Sequence, residues 1–304
     1  MTDIQSAPKR SFLSRVFLSP DEPRLRAGWR LLLQTILLFI LAIIIGIAAG
    51  FLGLSGGAVS VFDQIFNFIL ITGSVYIARR WLDKRSFESL GLKLSRQTLV
   101  DILAGIGITF LQMGFIYVLM LALGWLTFEG FAWEFDPMAT VVQNTLLFFV
   151  AFIFVAWNEE LLSRGYHLQT IASGLNLFWG VTISSAVFGL LHLGNPNATW
   201  ISAAGIFFAG VFLAYGYIRT RQLWLPIGLH LGWNFFEGVG FGFPVSGLNI
   251  YPLTRIQVHG PELWTGGAFG PEAGLIVLPS LLLGAALIYM YTIKRKSGNR
   301  METQ

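Results

Sequence analysis

Residues 140–164 read TVVQNTLLFFVAFIFVAWNEELLSR. No Asp, Glu, Lys or Arg occurs from Thr140 to Asn158, and then two adjacent carboxylates, Glu159 and Glu160, arrive together, with Arg164 just beyond. A run of this length is close to the ~20 apolar residues that cross a bilayer core. It therefore reads as a transmembrane helix, with the paired carboxylates at or just inside its boundary. Ionisable groups in that position are costly to desolvate and mark functional sites.

The whole chain has the same character. Of its 304 residues 55% are hydrophobic and only 12% charged, against roughly 25% charged in soluble domains. Its 34 glycines suit helices packed closely in a membrane. The expected fold is an all-α polytopic membrane protein, a bundle of about eight transmembrane helices around a polar catalytic cavity. There is no cysteine, which removes disulfides, thiol catalysis and Cys-ligated metals. The net charge of +4 is spread along the loops and is no nucleic-acid footprint.

Eight apolar runs emerge: Leu31–Gly53, Val61–Ala78, Ile102–Trp125, Thr140–Asn158, Leu175–Gly194, Ile201–Ile218, Leu223–Gly240 and Ala273–Ile293. The first is too long for a signal peptide and no A-x-A-like site follows it, so it reads as a retained span. The second is the weakest, interrupted by Asp63 and Asn67. Even alternation across the membrane puts every basic residue except Arg255 on one side, 19 of 20. The positive-inside rule makes that side cytoplasmic, with both termini there. The chain divides into a basic cytoplasmic segment (1–30), a transmembrane domain (31–293) with its core at 140–240, and a cytoplasmic tail (294–304). The expected location is the cell (plasma) membrane.

The few polar groups inside the spans can be weighed one by one. Glu159 and Glu160 are about 100° apart on a helix and so have different roles. Arg164 follows Glu160 by four residues and shares its face, the spacing of an ion pair. Glu159 is left as the freer carboxylate, and an apolar cavity makes such a group a better base for water. His192 lies four residues after Phe188, and His230 four before Asn234. An Asn beside a His can donate to a developing oxyanion, and a neutral His can relay a proton or bind a metal. Each feature also has a plainer reading: an ion pair that ends a helix, or a histidine that merely packs. Glu237 is expected at a helix end, His167 and His259 in solvated loops, and Gly105, Gly107, Gly205 and Gly210 at close helix contacts. No H-E-x-x-H, G-x-S-x-G or G-x-x-x-x-G-K motif occurs.

Together Glu159-Glu160-x-x-x-Arg164, Phe188-x-x-x-His192 and His230-x-x-x-Asn234 resemble the three ordered motifs of the CPBP family, which comprises CAAX prenyl endoproteases, bacteriocin-processing proteases and Abi proteins. The resemblance covers roughly Thr140 to Gly240. It implies an intramembrane endopeptidase acting on a peptide or protein substrate at the membrane, prenylated or leader-type. Glu159 would activate water with His192, His230 and Asn234 would stabilise the oxyanion, and Glu160 with Arg164 would hold the site's shape. Members are commonly called metalloproteases, so the cofactor is either none or a divalent metal such as zinc on His192 and His230. The first is favoured, because spending Glu159 as a ligand removes the best base. A proton-coupled transporter, or an immunity or binding protein of the same fold, are the competing classes.

One geometric requirement follows. If Glu159 ends span four while His192 stands deep in span five, about 25 Å along it at 1.5 Å per residue, the two meet only if span five starts late, near Val181, or if the helices tilt.

Overall fold

The computed structural model describes residues 11–20, 22–51 and 61–301. The first ten residues of the basic N-terminal segment, and the end of the tail after Met301, lie outside them. A short α1 (Phe12–Phe17) leads into α2 (Ala27–Phe51), α3 (Val61–Ile77) and α4 (Arg96–Ala122). After strand β1 (Leu126–Phe131) come α5 (Met138–Glu160), α6 (Leu168–Gly174), α7 (Leu177–Leu191), α8 (Trp200–Thr220) and α9 (Trp224–Asn234). Strand β2 (Thr254–Val258), α10 (Glu262–Thr265) and α11 (Val277–Met301) complete the described chain.

Each of the eight expected spans is a helix. Among the described residues six are long and apolar enough to cross a membrane, and the apolar part of α11, Val277–Ile293, is shorter. The remaining one, α9, has 11 residues and is prolonged by a π-helical segment, Phe235–Gly240. Local chemistry sets several helix starts. The Asn176 side chain accepts from the Trp179 N–H at the start of α7, and Thr199 and Ser202 cap α8 reciprocally.

Small residues let the central helices approach. A Cβ on Gly105 would collide with the backbone of Gly228 and Leu229, one on Gly228 with Ile102, and one on Gly232 with Ile106 and Thr109, so α4 and α9 lie backbone to backbone. Gly210 meets Ser185 and Gly205 meets the Glu272 carbonyl. Gly107 corrects the expectation made of it: nothing stands within 4 Å of its added Cβ, so that face of α4 makes no close helix contact.

The bundle has two unlike ends. At one, Asp83 binds Arg30 and Arg79, with Arg24 at 3.8 Å. There Lys84 also donates to the Pro23 carbonyl, Arg30 to Ser173, and Trp224 to the Lys93 carbonyl. This basic face gathers the start of α2, the end of α3, the α6–α7 turn and the start of α9. At the other end β1 and β2 pair antiparallel, with an irregularity between Phe128 and Gly130, and Asp136 accepts from both Tyr251 and Arg255. The fold is all-α as expected, and among the described residues this one two-stranded pairing is added to it. Its strands lie in segments that the search for 20-residue apolar runs passes over as loops.

Candidate active site

The helix carrying Glu159 does not stop there. α5 passes into a π-helical segment, Leu161–His167, and then into α6, giving one continuous 37-residue helix from Met138 to Gly174. The carboxylate pair therefore stands within a continuous helix and not at its end. The chain reverses between Gly174 and Leu177, and α7 returns alongside α6, with Gly180 against Ala172. Glu159 lies fifteen residues before the turn and His192 fifteen residues beyond Leu177. Equal paths from one turn bring the two to the same depth. Span five does not start late; span four runs on.

Glu159 Oε2 lies 3.9 Å from His192 Nε2 and 3.6 Å from His230 Nε2. These separations are too long for direct hydrogen bonds and short enough for a water to bridge Glu159 to either imidazole. His192 Nδ1 is 2.8 Å from the Phe188 carbonyl oxygen. A carbonyl only accepts, so Nδ1 carries the proton and the Nε2 of a neutral ring is an acceptor facing Glu159. The i, i+4 spacing of Phe188 and His192 thus fixes the tautomer.

Glu160 faces elsewhere, as the helical offset requires. It is fully buried, and its Oε1 accepts from Arg164 Nη1 at 2.7 Å and lies 2.8 Å from His230 Nδ1. The expected Glu160–Arg164 pair is present. Beyond that expectation, His230 stands between the two carboxylates, one at each ring nitrogen. Arg164 also donates to the Gly210 carbonyl at 3.2 Å and lies 4.3 Å over the Phe188 ring. Phe188 in turn packs edge-on to His192 at 4.7 Å. Arg164 thereby joins α5, α7 and α8 beneath the site.

One π segment, beginning at Leu161, falls inside the Glu159–Arg164 motif, and the other, beginning at Phe235, follows the His230–Asn234 motif. Such wide turns recur at functional sites. Asn234, the last residue of α9 before its π segment, lines the same cavity as Glu159, His192 and His230. That cavity measures about 430 Å³ and is walled by α3, α5, α7, α8 and α9. Among the described residues no group of three or more His, Asp or Glu side chains has the arrangement of a metal site.

Glu272, the residue just before the last apolar run, also faces the cavity. It is 5% exposed, accepts from Trp233 Nε1 at 3.0 Å and from the Ser246 N–H and hydroxyl at 2.9 and 2.6 Å. Burial raises its proton affinity above that of an ordinary glutamate, and the Ser246 hydroxyl, His192 and His230 oppose the shift. Glu237 is not a helix-end charge: it is wholly buried in the π segment, and neither carboxylate oxygen has a hydrogen-bond partner among the described residues. His167 is likewise no loop residue. It sits half-buried in the π segment after Glu160, whereas His259 is exposed as expected.

Residues 141–236 match the family model for Type II CAAX prenyl endopeptidase Rce1-like proteins. The match bears out the resemblance drawn from the three motifs and falls on the helices that build the site. A Bacillus subtilis (strain 168) protein named "Putative membrane peptidase YdiL" is 33% identical over 100 residues, 33% of this chain. The chain spans 39% of that relative's length. No solved structure matches.

Proposed function

We propose that this protein is an intramembrane endopeptidase that hydrolyses a peptide bond of a membrane-associated polypeptide, prenylated, leader-type or otherwise. The observation that carries the reading is the convergence of Glu159 Oε2 and the Nε2 atoms of His192 and His230 at the wall of one cavity. Glu159 takes a proton from water, His192 Nε2 accepts the second hydrogen bond and aims the oxygen, and the hydroxide attacks the scissile carbonyl. His230 and Asn234 stabilise the tetrahedral oxyanion. For that, His230 needs protons on both nitrogens, and Glu160 at Nδ1 supplies the counter-charge beside it. Glu159 then passes its proton to the leaving amine. No step is assigned to a metal, because spending Glu159 as a ligand would remove the base on which this reading relies.

The orientation is part of the proposal: the basic face is cytoplasmic, following the positive-inside rule, and the protein resides in the cell membrane with both termini inside. In reconstituted vesicles, wild-type protein should cleave membrane-associated peptides with incorporation of one oxygen from water into the new carboxylate, seen by mass spectrometry in ¹⁸O-labelled water. Glu159→Gln should abolish that cleavage and leave the protein inserted and folded. Full activity in Glu159→Gln overturns the assignment, and loss of wild-type activity on adding a chelator overturns its metal-free form.

A further inference from the structure

Cations outnumber carboxylates at the basic end of the bundle, and much of the surplus is buried. Asp83 accepts from Arg30 and Arg79 and has Arg24 at 3.8 Å, while Glu22 Oε1 accepts from Arg24 at 2.8 Å and from Arg85 at 3.0 Å. Lys84 joins the group through the Pro23 carbonyl. Among the described residues these contacts gather five cations around two carboxylates. Asp21, next to Glu22 in the chain, lies outside the described residues, and counting it still leaves five against three. Arg24, Arg30 and Arg79 are each at most 5% exposed. Buried charge of one sign without its counter-charge is costly, so this end of the bundle calls for an anion.

Two of the arginines have donors to spare. Arg79 commits all its nitrogens to Asp83 and Ser89. Arg30 commits two, to Asp83 and Ser173. The Nε atoms of Arg24 and Arg30 are buried without a hydrogen-bond partner among the described residues. There, Arg24 makes a single side-chain hydrogen bond, to Glu22. Glu22 stands on the turn between α1 and α2 with its side chain 39% exposed, beside an Arg85 that is 46% exposed. A half-exposed carboxylate bridging two arginines marks the place an incoming anion would take.

Depth selects the anion. Arg24 and Arg30 precede the first apolar run, and Arg79 to Arg85 follow the second, which is the level of the headgroup layer outside the hydrocarbon core. Tyr76 and Trp81, exposed and edge to face, stand at the same end of α3 in the manner of interfacial anchors. A guanidinium fork matches phosphate oxygens two by two, and basic pockets at the ends of membrane helices take phosphorylated headgroups.

We propose that Arg24, Lys84 and Arg85 hold one phosphate group in the place Glu22 now fills, with Arg30 and Arg79 adding charge from beneath. The phosphate belongs to an anionic phospholipid of the same leaflet or is free in solution. None of these residues lines the cavity of Glu159, and the site does not depend on the endopeptidase reading.

The thermal midpoint of the whole 304-residue chain reads the site. It is followed in detergent against inorganic phosphate at constant ionic strength, and in nanodiscs of phosphatidylcholine with increasing phosphatidylglycerol. A saturable rise with phosphatidylglycerol identifies a headgroup, and one with inorganic phosphate a soluble anion. Arg85→Gln should weaken the apparent affinity about tenfold, the worth of one charged hydrogen bond. Glu22→Gln should strengthen it, because the competing carboxylate is gone. Lys93→Gln and Arg96→Gln, at exposed positions on the same end, should leave it unchanged. No rise in either arm overturns the proposal. A rise that Lys93→Gln or Arg96→Gln reduces as much as Arg85→Gln does also overturns it, since that is diffuse attraction to the basic face. Weaker binding in Glu22→Gln overturns the placement of the phosphate at Glu22.

Discussion

Two clusters of buried charge stand one above the other in this bundle, and they are built on different principles. In the lower one a single carboxylate, Asp83, is surrounded by Arg30, Arg79 and Arg24, and both of its oxygens are bound. In the upper one two carboxylates share one arginine and one histidine, and Glu160 takes both. Glu159 is left with a buried Oε2 that has no hydrogen-bond partner among the described residues and two histidine nitrogens at slightly more than bonding distance. The first arrangement has spent its charges on holding α2, α3 and the α6–α7 turn together. The second has kept one carboxylate in reserve beside a cavity. An excess of cations over carboxylates at a helix end reads as a clamp; an unspent carboxylate beside two oriented imidazoles reads as a site.

The contrast predicts opposite outcomes for neutralising each carboxylate. Glu159→Gln should lower the hydrolysis rate by about 10²- to 10⁴-fold, the usual worth of a general base, without lowering the thermal midpoint of the detergent-solubilised protein. Asp83→Asn should do the reverse. It leaves Arg30 and Arg79 buried without their counter-ion, while Arg24 keeps Glu22, and breaking a buried pair costs roughly 3–5 kcal/mol; the activity per folded molecule stays near wild type. If Asp83→Asn loses activity at full stability, the two clusters are not functionally distinct and the comparison fails.

Arg164 tests the boundary between the two kinds. Its guanidinium binds Glu160, the Gly210 carbonyl and the Phe188 face at once, and a lysine ammonium cannot reproduce that fork and stack. Arg164→Lys should retain the fold but lower kcat about tenfold, because a shift of His230 or Phe188 by a fraction of an ångström misplaces the reacting groups. The KM should move less. Equal loss in kcat and thermal midpoint would make Arg164 a purely structural cation.

Much of this site was legible from residue spacing. The offset between Glu159 and Glu160 separated their roles, and the four-residue spacing paired Glu160 with Arg164; both follow from helical geometry that α5 obeys. What spacing could not convey was depth. An apolar run ends at its first charge, which puts the end of the helix near Glu159, and the π turn that carries it through Arg164 to Gly174 leaves no mark in that pattern. That turn is made from a stretch containing Ser163, Arg164, Gly165 and His167, which reads as polar but is buried by neighbours distant in sequence. His167 reads as a loop residue for the same reason, although it closes the π segment. Glu272 was missed because its partners Trp233 and Ser246 lie 39 and 26 residues away, and no local pattern announces such contacts. The β1–β2 pairing escaped on the same ground, since strands 120 residues apart share no turn to betray them.

Glu272 is the smallest effect and the finest discriminator, because it borrows from both clusters: it is bound at both oxygens like Asp83, yet it faces the cavity like Glu159. Burial raises its proton affinity in the folded protein above that of the unfolded chain. The folded state then binds more protons, so the contribution of this group to stability is fully present below the unfolded value of about 4.3 and is lost as pH rises through the folded one. Glu272→Gln removes the titration. Glutamine can still accept from Trp233 through its carbonyl oxygen but meets the Ser246 N–H less well, a cost that does not vary with pH. The slope of the difference is therefore the test, not its intercept. The thermal midpoint of Glu272→Gln relative to wild type should rise steadily as pH increases above about 4.3, with kcat changed only a few-fold. Parallel curves for the two proteins would mean that Glu272 ionises as freely in the folded protein as in the unfolded chain. In that case its hydrogen bonds to Ser246 outweigh its burial, and it belongs with Asp83 as a clamp.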